Sequence, residues 1–143
     1  MKRIEPRSHW PQDVTYLEMK NKHPMFYAYV DEKRERIFLS KGWQEDEHID
    51  AYVFHEYRHI MHKRSNLFKD YYARLRDVRR RICEDPHGWL SFALLAEGDC
   101  DKYALEKTGV NLGTYPVYAV AHYSLAKSLI KKLKKSTQSQ AHA

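Results

Sequence analysis

The sequence predicts an α+β domain, a small antiparallel β-sheet with about four α-helices packed on it. Three observations lead there. Two β-branched and aromatic runs, residues 25–30 and 36–40, flank the charged stretch Asp31-Glu32-Lys33-Arg34-Glu35, the pattern of a hairpin with a five-residue loop. From residue 45 onward apolar residues recur at helical spacing. The chain has 143 residues, 43% of them hydrophobic and 31% charged, enough for one modest core and too few for two. Residues 1–135 are therefore expected to form a single domain, and the small, polar stretch 136–143 a disordered tail.

Taken in order, residues 1–12 are polar, carry Pro6 and Pro11, and read as an irregular arm. Residues 13–19 alternate weakly and suit a strand. Lys41-Gly42 ends the second hairpin strand. Glu45-Asp46-Glu47 then fits the first turn of a helix, where negative charge is favoured. That helix is expected over residues 45–64, with Ser65-Asn66 ending it. Tyr52, His55, His59 and His62 fall on one stripe, and Ile49, Val53, Phe54 and Ile60 supply apolar packing beside it. A second helix over 67–83 aligns Leu67, Tyr71, Leu75, Val78 and Ile82 on one face and is basic on the other. Glu84-Asp85-Pro86-His87-Gly88 reads as a break. A third helix over 89–107 stops at Thr108-Gly109, where glycine suits the left-handed cap. Thr114 and Pro116 then open a fourth helix reaching about Lys135.

Composition narrows the setting. The formal net charge is +6, with basic runs at 74–81 and 127–135. Such an excess fits an acidic partner, nucleic acid or an anionic membrane surface, or else solvated helix faces; no nucleic-acid-binding motif accompanies it. No apolar run follows the basic start, so no signal peptide is expected, and no stretch has the length of a bilayer-spanning helix, so no membrane partner is expected. Cys83 and Cys100 are too few for a disulfide scaffold and too far apart for a C-x-x-C motif. Both are read as reduced thiols in a cytoplasmic protein.

The chemistry concentrates in His55-Glu56-Tyr57-Arg58-His59, an H-E-x-x-H pattern on a predicted helix. Residues four apart share a helix face, so both imidazoles reach one point. Neutral imidazole is a good zinc ligand, and Glu56 is placed to activate a metal-bound water. A catalytic zinc takes three protein ligands. The extended form of the motif would need glycine at 62 and histidine at 65, where the chain has His62 and Ser65, and the inverted H-x-x-E-H order is absent. A glutamate on a later helix remains. Glu97 and Asp101 are four apart in Ala96-Glu97-Gly98-Asp99-Cys100-Asp101: Glu97 suits a ligand, and Asp101 a carboxylate that receives a hydrogen bond from a ligand imidazole. Cys100 offers a further zinc donor, but beside Asp101 it faces partly away from Glu97 and is read as a buried thiol. His48 and His62 lie near the ligand stripe as further candidates.

H-E-x-x-H followed by E-x-x-x-D on a downstream helix resembles the gluzincin zinc metallopeptidases. Size and element order look most like the compact, soluble minigluzincins, with the likeness covering about residues 25–108. The chain departs from membrane-bound members in having Cys100 where they favour alanine. The resemblance implies a zincin-like fold, a Zn2+ ion on His55, His59 and Glu97, and Glu56 as general base in peptide-bond hydrolysis. It also implies that Asp101 orients His55 and that residues 36–40 form the edge strand along which a peptide or protein substrate pairs. An oxyanion stabiliser is expected as well, for which His122 and Tyr123 are candidates beside Tyr115 and Tyr118. Two further expectations accompany this: a latent form covered by an inhibitory segment, such as the tail, or by a second subunit; and, as the rival, a non-catalytic zinc module associated with nucleic acid.

Overall fold

The computed structural model describes residues 1–22, 27–74 and 84–113, together with Lys131 and Lys135. Contacts divide the chain into two compact units, Met1–Lys69 with Gly98–Leu112 and Asp70–Glu97 with Gly113–Ala143. The predicted fourth helix and the tail lie outside the described residues apart from Lys131 and Lys135, and so does the 75–83 part of the second helix.

The first unit is α+β, and its sheet is mixed. Strands β1 (Lys2–Ile4), β2 (Thr15–Glu18), β3 (Ala28–Asp31) and β4 (Arg36–Leu39) are arranged in the order β1-β2-β4-β3. β3 and β4 form the expected antiparallel hairpin, with Ala28 opposite Leu39 and Asp31 opposite Arg36. Its loop is stapled by Asp31, which accepts hydrogen bonds from the Arg34 amide and the Arg36 guanidinium. Two corrections follow. β2 pairs with β4 in parallel, so the sheet is not purely antiparallel. β4 is bonded on both sides and is an interior strand, which removes residues 36–40 as the substrate edge; among the described residues the edges are β1 and β3.

Alternation along β4 explains the layering. Ile37 and Leu39 join the core together with Ile49, Val53 and Ile60 of the following helix. Phe38, between them, stacks on Tyr29 with ring centroids 4.5 Å apart. That helix, α1, runs Ile49–Ser65, later than the acidic stretch suggested. Trp43–Glu45 forms a 3-10 turn first, and the Asp46 carboxylate takes the His48 amide at 2.8 Å, a local bond that competes with helix entry. α1 ends at Asn66, in the left-handed region at φ 55°, as Ser65-Asn66 suggested.

The N-terminal arm is not irregular throughout. β1 pairs with β2, and Trp10 is buried against Tyr16 and Trp43. The arm is clamped to α1 through Asp50, which accepts hydrogen bonds from Arg7, His9 and Trp10 at 3.1, 2.7 and 2.7 Å.

Helix α2 spans Lys69–Arg74, its residues from Asp70 on belonging to the second unit, and Tyr72 is buried. Helix α3 spans Pro86–Thr108, entering the first unit at Gly98. The break expected at 84–88 is its start. Pro86 occupies the first helical position, where its missing N–H costs nothing, and the Asp85 carboxylate caps the Gly88 amide at 3.0 Å. The stop is at Gly109, with φ 74°, where the Gly109 amide reaches the Leu105 carbonyl at 2.8 Å. Among the described residues no helix is long and apolar enough to cross a membrane.

Candidate metal centre

α1 carries two buried stripes. Ile49, Val53 and Ile60 follow helical spacing and pack on the sheet; Glu56 sits in the same series, at the turn between Val53 and Ile60. Ala51 and Phe54 pack with Ala104, beside Tyr103 of α3, and His55, His59 and His62 continue on from them. Relative exposure is 2% for His55, 5% for Glu56, 3% for His59 and 1% for His62. Among the described residues the remaining buried polar side chains are Ser40 and Glu97. Burying four titratable groups on one helix opposes folding unless they are partnered, so this stripe is the candidate site.

The C-terminal half of α3 supplies partners. His55 Nδ1 donates to Asp101 Oδ1 at 2.7 Å. In the neutral ring this bond puts the proton on Nδ1 and leaves Nε2 as the lone-pair nitrogen, the form a metal requires. The His55 and His59 rings lie edge to face with centroids 5.3 Å apart, and His59 and His62 at 6.0 Å. His62 Nε2 donates to Asp99 Oδ2 at 2.5 Å, and Arg58 Nε donates to the same oxygen at 2.8 Å. Burial pushes the His62 pKa down, against the pull of Asp99, so His62 is neutral at pH 7. Burial works to raise Asp99, but the bonds from Arg58 and His62 outweigh it and hold the carboxyl below its ordinary range. Arg58 also lies over the Tyr103 ring at 5.0 Å, and Tyr103 meets Phe54 edge-on at 6.1 Å. The histidine stripe is thus walled by an apolar contact at one end and a charged one at the other.

His55, His59 and Cys100 form a buried group able to hold a metal ion, with one ligand atom from each within 4.8 Å of the others. Cys100 is a buried thiol outside any disulfide, as expected, and it belongs to this group, the ligand role that the sequence reading raised and set aside. The signal was available: alanine satisfies a small buried position, and sulfur there adds a soft ligand. Asp99 and Arg58 were also missed: their bond joins residues 41 apart in the chain, a pairing that no local pattern announces. Glu97 is buried on α3, one turn ahead of Asp101, and belongs to the second unit. His48 is exposed and faces Glu47 at 3.3 Å. His122, Tyr123, Tyr115 and Tyr118 lie outside the described residues.

The donor set, two imidazoles and a thiol in a buried setting with a carboxylate on one ring, fits zinc and other borderline-soft metals. Comparison with known protein families, with curated proteins and with solved structures gave no match to this chain.

Proposed function

We propose that the chain is a zinc-dependent peptidase of the gluzincin type. The observation that carries the proposal is the pairing of two buried histidines, four apart on α1, with Asp101 on the Nδ1 of the first at 2.7 Å, while Glu56 is buried between them in sequence. His55 and His59 would hold the ion through their lone-pair nitrogens, with Glu97 as the third ligand. A zinc ion held there supplies a Lewis acid that polarises a carbonyl and lowers the pKa of a water to about 7.

The chain's own groups do the rest. Glu56 takes one proton from the attacking water and delivers it to the departing amine nitrogen, so that water adds across the C–N bond and an acid and an amine leave. Asp101 is a positioning residue, holding the His55 ring in one tautomer. An extended peptide would pair along β3, an edge strand among the described residues where β4 is interior; backbone bonds would give affinity with modest sequence preference.

The test is metal content by mass spectrometry followed by profiling on a peptide library. Wild type should carry about one zinc per chain, and Glu97→Ala and His59→Ala much less. Glu56→Gln should keep its zinc and lose roughly 10²–10⁴-fold in cleavage rate. Zinc retention with undiminished cleavage in Glu56→Gln would remove Glu56 from the reaction. A zinc-replete wild type that cleaves nothing would leave a non-catalytic metal module.

A further inference from the structure

Cys100 stands one turn before Ala104 on the face of α3 that enters the first unit, and both are fully buried. A methyl group at 100 would satisfy packing there. The chain instead places a sulfur within 4.8 Å of a ring nitrogen of His55 and of His59. Around a four-coordinate zinc, ligand atoms stand roughly 3.3–3.8 Å apart, so side-chain adjustment alone can bring the three onto one ion. A buried thiolate is costly without a cation beside it, and a thiolate is among the strongest donors to zinc, cobalt(II) and copper(I).

We propose that Cys100 is itself a ligand of the ion held by His55 and His59, and that its sulfur takes a coordination position that hydrolysis needs. The proposal rests on the metal-binding reading of the two histidines. A catalytic zinc keeps one position open for water, whereas a site filled by protein donors is closed and structural in character. With Cys100 bound the enzyme is latent. The latch is then part of the glutamate helix itself, with no separate inhibitory segment required.

Cobalt(II) titration of the metal-free, full-length protein tests this, because a thiolate ligand adds a near-ultraviolet charge-transfer band to the visible bands of the metal. Wild type and Cys83→Ser should show the band, which controls for the second cysteine; Cys100→Ser and Cys100→Ala should lack it. Zinc affinity, from competition with a chromogenic chelator, should fall by at least 10–100-fold in both Cys100 variants. Cleavage per bound zinc should rise severalfold in Cys100→Ala, and a fall there would overturn the latent state. Visible bands without the near-ultraviolet band in wild type would overturn Cys100 as a ligand while leaving the histidine site standing. No cobalt or zinc bound at all would remove the metal reading and this inference together. Should both Cys100 variants lose their far-ultraviolet helical signal, zinc-edge X-ray absorption on wild type decides by counting sulfur neighbours: one supports the proposal and none overturns it.

Discussion

A carboxylate on the far nitrogen of a histidine does two things for a metal site: it fixes which nitrogen carries the proton, and it raises the basicity of the other. Asp101 meets the geometric condition for both, with its Oδ1 2.7 Å from His55 Nδ1 and the ring fully enclosed. The two effects can be separated. Asp101→Asn retains a carbonyl oxygen able to receive the Nδ1 proton but removes the negative charge, whereas Asp101→Ala removes both. Zinc affinity should therefore fall in steps, by about tenfold for the asparagine and approaching 100-fold for the alanine, read by chelator competition. Equal affinities in all three proteins would mean that His55 is oriented by packing alone. Asp99 is the informative contrast. It belongs to the same helix but is held ionised by Arg58 and His62, so it bonds to Arg58 and His62 of α1 rather than to the His55 ring.

Elements whose signals are local were legible in the sequence, and those set by partners distant in the chain were not. The hairpin was readable because its strands and loop are contiguous, and α1 because a helix declares its own period. Pairing of β2 with β4 is non-local, and nothing in residues 15–18 or 36–39 distinguishes a parallel neighbour from an antiparallel one; the interior position of β4 followed from that same missing fact. β1 has three residues, too few to show alternation. The start of α3 failed for a different reason. Asp-Pro-x-Gly marks a turn, but aspartate at the cap and proline at the first position also begin a helix, and Gly88 is what permits it, since a Cβ there would collide with the Asp85 carboxylate. Two variants check this cap. Asp85→Ala should cost about 1 kcal/mol, and Gly88→Ala should be destabilising as well, although alanine is the better helix former. Urea unfolding reads both. A gain in stability from Gly88→Ala would show that the carboxylate can move aside and that the cap contributes little.

For the molecule as a whole, acid stability should depend on how the arm is fastened. At Asp50 burial favours the neutral acid, but hydrogen bonds from Trp10 and His9 and the nearby charge of Arg7 prevail and hold the carboxyl below its ordinary range. Burial is likewise outweighed at Asp13, by Arg64 and Tyr57, and at Asp31, by Arg36 and Arg34. A carboxyl whose pKa is lower folded than unfolded binds fewer protons in the native state. Its contribution is present above the unfolded value of about 3.9 and disappears as pH falls through the depressed one. The three aspartates lie just before β2, on the hairpin and in the first turn of α1, so protonating them loosens contacts that hold the sheet, the arm and α1 to one another. Asp50→Asn isolates one of them. Asparagine still accepts from the Trp10 indole but carries no charge for Arg7, and the exposed part of the clamp is screened by solvent, so the loss at pH 7 should be about 1 kcal/mol. Urea midpoints of wild type and variant should differ by a constant amount from pH 7 to about pH 5 and then converge below about pH 4. Parallel curves down to pH 3 would mean that Asp50 ionises alike in the folded and unfolded chain. The arm would then be held by Trp10 in the core, and its carboxylate clamp would be a surface contact of no consequence.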